Sequence, residues 1–237
     1  MYLGSSMKEI VVGIHQPNFF PWIGFFEKIS RSDIFVFLDK VQYSGGSWSN
    51  RVKVINQMKP SWITCPILHT GGHQYLDEVR IDEKQQWKKK FKTILEINYS
   101  KSDYFPENFE FICKMIEDNE NHLSGYNILN IKRICEALDI KTDFYLQSDM
   151  VTNEKATGLV IEITKQLHGT AYLCGAGSAN YQDDDMFSES HITLLHQNFV
   201  HPVYPQITAG NFIPGMSIID VLLNCGVEGT KKLLSTS

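Results

Sequence analysis

The strongest constraint on this chain is an alternation near its N-terminus. Lys8–Ile14 and Ile34–Leu38 are short runs of β-branched and aromatic residues. Between them Trp22, Phe25, Phe26 and Ile29 recur at i, i+3, i+4 and i+7. That spacing lines one face of a helix. Strand, loop, helix and strand within about 30 residues is the size of a βαβ crossover, which joins parallel neighbours. Both runs are apolar throughout, as expected of strands in a parallel sheet covered on both faces. The expected fold is α/β, built on a mostly parallel, Rossmann-like sheet.

Further along, Arg51–Ile55 and Trp62–Leu68 read as strands around a turn at Asn56–Pro60, and Tyr75–Ile81 reads as another. Residues 82–138 are helical in pattern. Asp82, with Gln85 three residues on, has the form of a capping box, and Trp87, Phe91, Ile94 and Leu95 make an apolar stripe. Lys88, Lys89 and Lys90 read as a solvated outer face rather than an anion site. Helices follow at Glu107–Glu117 and Tyr126–Leu138. Alternation then resumes with a strand at Asp143–Gln147, a helix at Ala156–Leu167 and a buried strand at Ala171–Cys174. Strands at Ile192–His196 and Val203–Gln206 come next, then a C-terminal helix over Ser217–Asn224 stopped by Gly226 and a short helix after Glu228. The pattern predicts one α/β domain over 7–237, with a helical insertion at 82–138 and a polar leader at 1–6.

Composition narrows the function. A chain of 237 residues with 43% hydrophobic content can bury one substantial core. Its net charge of −5 argues against nucleic acid, which is bound through a basic face. A phosphorylated ligand stays open, because backbone amides at a helix N-terminus bind phosphate without net positive charge. No apolar run approaches the roughly 18 residues of a membrane span, and no signal-peptide pattern opens the sequence. The five cysteines are scattered and lack a C-x-x-C pair, so a reducing cytoplasm is the expected location.

The loop after the first strand holds the clearest candidate chemistry. His15 and Gln16 fall at the carboxyl end of a strand, where open α/β sheets bind ligands. Histidine suits proton transfer near neutral pH. Its competing role is to cap a buried loop, but a polar pair is costly to bury without a task. Asp39 ends the second strand and Gln42 follows it; Asp39 fits a histidine orienter, a sugar contact or a plain turn former. Arg51 carries a planar fork suited to phosphate or carboxylate, beside Asn50. Gly175 and Ser178 lie in a glycine-rich turn after the buried strand, and no G-x-S-x-G elbow supports Ser178 as a nucleophile. His201, Tyr204 and Gln206 form a polar group fit for substrate contacts or for structural hydrogen bonds. His69 with His73 and the His191–His196–His201 series lack metal-site spacing, and Asp183–Asp185, although of a type that binds Ca²⁺ or Mg²⁺, reads as an acidic surface loop, so no metal is expected. Cys65 sits in an apolar run and reads as an inert thiol.

The stretch His15–Ile29 (His-Gln-Pro-Asn-Phe-Phe-Pro-Trp-Ile-Gly-Phe-Phe-Glu-Lys-Ile) resembles the opening signature of WbqC-like proteins. The likeness continues through Asp39–Gln42, Ser49–Arg51, Tyr172–Gly175, Tyr204–Gln206 and Phe212–Asp220. It implies a setting in bacterial O-antigen or other surface-polysaccharide synthesis. The opening is also similar to that of nucleotidylyltransferases with an H-x-G-H motif, but Trp22 and Phe25 stand where the two histidines would be. The WbqC-like resemblance assigns no reaction by itself; in the setting it implies, group transfer on a nucleotide-activated or lipid-linked sugar, such as acylation of an amino sugar, is expected rather than hydrolysis. A non-catalytic nucleotide-sugar or partner-binding module is the alternative. His15 and Asp39 are the expected catalytic residues. Gln16, Asn18, Trp22, Gln42, Asn50, Arg51, Gly175, Ser178, His201, Tyr204 and Gln206 are the expected substrate contacts. No cofactor is implied beyond a sugar nucleotide or an activated acyl donor as substrate.

Overall fold

A computed structural model describes residues 9–68, 72–175, 177, 182–208 and 210–236; the leader at 1–6, His69 and Ser178 lie outside them. The strands are β1 (Val11–His15), β2 (Ile34–Phe37), β3 (Arg51–Asn56), β4 (Lys59–Thr64), β5 (Asp143–Leu146), β6 (Ala171–Cys174) and β7 (Thr193–His196). The helices are α1 (Ile23–Ser30), α2 (Trp87–Tyr99), α3 (Phe105–Ile116), α4 (Leu123–Ala137), α5 (Ala156–Gln166), α6 (Asp184–Glu189) and α7 (Ile218–Ser235). The chain divides into two compact units. One is built from residues up to 15, 28–38 and 142–198, the other from 16–27, 39–141 and 199 onward. The helical stretch 82–138 falls within the second.

The first unit is the expected α/β fold. Its five strands run in the order β5-β2-β1-β6-β7, and every neighbouring pair is parallel. β1 is flanked on both sides and its centre is apolar: Val12 and Ile14 are buried with Val36, Tyr172 and Cys174. Val160 and Ile163 of α5 and Phe187 of α6 complete this core. Each such side chain contributes roughly 1.5–3 kcal/mol when removed from water. Gly13 is required here, since a Cβ would lie 2.3 Å from Ser32 Oγ and 2.9 Å from the Phe35 ring. The acidic run Asp183–Asp185, read from sequence as a surface loop, instead starts α6. The Asp183 carboxylate accepts from the Asp185 and Met186 amides at 3.1 and 3.2 Å, satisfying donors a helix start leaves open.

The second unit joins the β3–β4 hairpin to α2, α3, α4 and α7. The hairpin turns on Gln57 and Met58, both at positive φ (51° and 62°), as a two-residue loop between right-twisting strands demands. Asn98 Oδ1 takes the Gln57 amide at 2.8 Å. Three sequence expectations are corrected here. Asp82 does not start a helix: it accepts from the Lys84 amide and the Gln85 side chain in a turn, and α2 opens at Trp87. Tyr75–Ile81 is not a strand; it contains a 3-10 turn at Leu76–Glu78, where the Glu78 carboxylate holds the Tyr75 amide. Val203–Gln206 is not a strand either, because its side chains bond inward to α7, as set out below. Among the described residues no helix is long and apolar enough to cross a membrane.

Candidate functional site

A parallel sheet gathers ligand chemistry at its strand carboxyl ends, above all where the strand order reverses. In the first unit that reversal lies between β1 and β6, since the chain steps from β1 to β2 on one side and adds β6 on the other. His15 ends β1, half-buried, and its carbonyl accepts from the Leu38 amide at 2.9 Å. Cys174 and Gly175 end β6, and the Cys174 carbonyl accepts from the Gln197 amide at 2.9 Å. The Gln197 carbonyl in turn accepts from Arg31 Nη1 at 2.6 Å.

The sequence reading missed the residue that gives this edge its electrostatics. Lys28 is only 2% exposed. Its Nζ donates to the Ile14 carbonyl at 2.8 Å and lies 5.6 Å from the Tyr172 ring centroid. Burial pushes its pKa down to about 8, with Cys174 opposing the shift. Among the described residues no carboxylate forms an ion pair with it. A methyl group on Gly175 would lie 3.8 Å from Lys28 Nζ and 3.6 Å from Gln197 Oε1, in ordinary contact, so Gly175 is the immediate neighbour of the ammonium. A buried lysine with a lowered pKa at the carboxyl ends of parallel strands is a candidate mark of a working site. Its sequence signal was weak: a lysine beside Ile29 in an amphipathic helix reads as surface.

The remaining expected residues lie in the second unit. Asp39 is 3% exposed; its carbonyl accepts from the Asp77 amide at 3.0 Å. Burial, reinforced by the charge of Asp39, raises the Asp77 carboxyl pKa. Gln42 is exposed and its amide donates to His73 Nδ1 at 2.6 Å. Asn18 is buried and Gln16 half-buried. Asn50 donates to the Cys65 carbonyl at 3.2 Å, while its Oδ1 is buried without a partner. Cys65 is fully buried, and burial raises its thiol pKa. Arg51 lies with its Cζ 4.3 Å from the Trp62 ring centroid. His15 belongs to the first unit and Arg51 to the second.

Two of the expected substrate contacts, Tyr204 and Gln206, converge on a carboxylate that the sequence did not single out. Asp220, fully buried at the start of α7, accepts from Tyr204 at 2.7 Å, Gln206 at 2.9 Å and Tyr99 at 2.7 Å. Burial raises its pKa against the pull of these donors. His201 is equally committed. Its Nδ1 donates to the Pro202 carbonyl at 3.0 Å and its Nε2 accepts from the Gly215 amide at 3.0 Å, which fixes the neutral tautomer. Burial lowers its pKa accordingly. Trp22 stacks on this ring at 5.8 Å and meets Phe199 edge-on at 5.0 Å. Among the described residues no three His, Cys, Asp or Glu side chains gather as a metal site.

The sequence profile of the WbqC-like protein family matches residues 16–232. The chain belongs to that family. It is also 31% identical over 220 residues to the uncharacterized protein Rv1507c of Mycobacterium tuberculosis, covering 92% of this chain and 94% of the relative. No solved structure matches. Part of the WbqC-like opening stretch serves packing. Phe19 and Phe20 are buried against Phe91 and Tyr126, with centroids 5.9–6.2 Å apart, and the Pro17 carbonyl accepts from Asn127 at 3.0 Å. The same stretch also contains His15, half-buried, and the buried polar residues Asn18, Glu27 and Lys28.

Proposed function

We propose that this WbqC-like protein is a group transferase of surface-polysaccharide synthesis, acting on a nucleotide-activated or lipid-linked amino sugar. The observation that carries the reading is the buried Lys28 ammonium beside the carboxyl ends of β1 and β6, with His15 ending β1. In acyl transfer, the sugar amine attacks the donor carbonyl carbon while His15 takes the amine proton. The tetrahedral oxyanion then collapses, the bond to the donor's leaving group breaks, and His15 returns the proton to that group. Lys28 supplies positive charge to the oxyanion, which in a water-poor site counts for more than in solvent.

The test is to incubate the protein with amino-sugar nucleotides and acyl donors and to follow products by mass spectrometry. Removing a positioned general base lowers turnover by about 10²–10⁴-fold. His15→Ala is therefore expected to fold normally and lose most product formation. Full turnover in that variant would remove His15 from the mechanism. The second reading, a binding module without turnover, is favoured by Trp22 and Phe25 in place of the H-x-G-H histidines. It predicts ligand binding with no product across the whole panel.

A further inference from the structure

The outer face of the β3–β4 hairpin carries a cluster that the transferase reading does not use. Strand register sets Lys53 opposite Trp62 and Arg51 opposite Thr64. Val52, Val54 and Ile63 point the other way and are buried. On the outer face the Arg51 guanidinium lies over Trp62 at 4.3 Å, and Lys53 Nζ sits 5.1 Å from Trp62 and 5.8 Å from Trp48. Trp48 and Trp62 meet edge to face at 4.9 Å, yet remain 42% and 40% exposed.

Two properties separate this cluster from an ordinary wet surface. Among the described residues neither Arg51 nor Lys53 has a carboxylate partner, although acids outnumber bases in the chain, 27 to 22. Arg51 Nε is also buried without an acceptor. Aromatic stacking holds a guanidinium in a fixed plane and leaves its edges free to fork an anion. Lys53 adds a second positive charge on the same face. Beside them, Trp48 offers an exposed apolar ring, suited to the flat face of a sugar.

We propose that this face binds a sugar linked through pyrophosphate, with Arg51 and Lys53 on the pyrophosphate oxygens and Trp48 against the sugar. The ligand class rests on the transferase reading, whereas the site rests on the hairpin alone. Binding is therefore measured without turnover. The probes are inorganic pyrophosphate, UDP-glucose, free glucose, and vesicles carrying a polyprenyl-pyrophosphate sugar, read by calorimetry and tryptophan fluorescence. Pyrophosphate and UDP-glucose are expected to bind and free glucose not to. Arg51→Lys keeps the charge but loses the fork, and is expected to weaken both about ten-fold or more. Trp48→Ala is expected to weaken UDP-glucose and leave inorganic pyrophosphate unchanged. Lys59→Gln, at the exposed hairpin end, is expected to alter neither. UDP-glucose binding points to the soluble source of the group, and binding to inorganic pyrophosphate and the vesicles but not to UDP-glucose points to the lipid-linked one; either supports the site. Affinity unchanged in an Arg51→Lys, Trp62→Leu double variant, or no binding to any pyrophosphate probe, overturns it. Neither result would touch the His15 test, which reads product.

Discussion

At the scale of single residues, burial decides what each polar group can do. Lys28 illustrates this most sharply, because its ammonium is held where water does not reach it. A lysine whose pKa falls from 10.5 to about 8 destabilises the fold by about 3 kcal/mol while it is charged. The sign follows from which state binds the proton more tightly. The unfolded lysine does, so the penalty is full below pH 8 and is relieved as pH rises from 8 to 10.5. Lys28→Met is thus expected to raise stability by about 1–3 kcal/mol at pH 7 and to lose that advantage toward pH 10.5. It should also abolish transfer. Urea unfolding of both proteins across that range checks the stability claim, and a variant less stable than the parent at pH 7 would refute it. Tyr204 and Gln206 show the opposite case. Their types and spacing were visible in the sequence, but the acid they bond, Asp220, lies 14 and more residues away, and only folding brings them together. His201 likewise spends both ring nitrogens on backbone partners.

At the scale of elements, the chain is legible where a periodic apolar pattern meets one local stop signal. Gly226 is such a signal. The sequence places a helix stop there with a short helix beyond it, and the backbone does leave helical geometry at Gly226, at φ 69° and ψ 177°, where two helical segments of α7 meet at a kink. A Cβ there would lie 2.5 Å from the Tyr104 ring. Gly226→Ala meets both an unfavourable φ and a clash, and is expected to cost about 2–4 kcal/mol. The measurement is the denaturation midpoint, with a near-neutral effect ruling out the kink as a requirement. The β1-α1-β2 crossover was readable for the same reason, since period and length agree. Tyr75–Ile81 and Val203–Gln206 were misread because short β-prone stretches carry too little pattern to outweigh side-chain bonds. In the first, Glu78 closes a tight turn; in the second, Tyr204 and Gln206 reach inward to Asp220. α6 was missed because three consecutive aspartates read as solvent-facing, whereas one caps a helix and two occupy its first turn.

At the scale of the whole molecule, the sheet ties together segments that the sequence keeps far apart. β1 pairs with β2 about one crossover away, but its other edge is β6, with Val12 opposite Tyr172. Parallel pairing across so long a stretch cannot be read from local periodicity, so the strand order, and with it the switch point beside Lys28, emerges only from the fold. The same topology makes a prediction about folding. The core around Val12, Ile14 and Val36 draws Val160, Ile161, Ile163, Tyr172, Phe187 and Ile192 from beyond residue 150. A chain ending at residue 150 retains β1, β2 and β5 but leaves one edge of β1 unpaired and Val12, Ile14 and Val36 without these partners. Unpaired strand edges and exposed apolar side chains disfavour a closed native state. Such a fragment is expected to lack a cooperative thermal transition in its parallel-sheet unit. The check is hydrogen exchange at the β1 amides, which should be slow in the full chain and close to unprotected in the fragment. Protection that survives in the fragment would mean that β1 and β2 form a stable sheet without β6, and that the centre of the fold lies elsewhere.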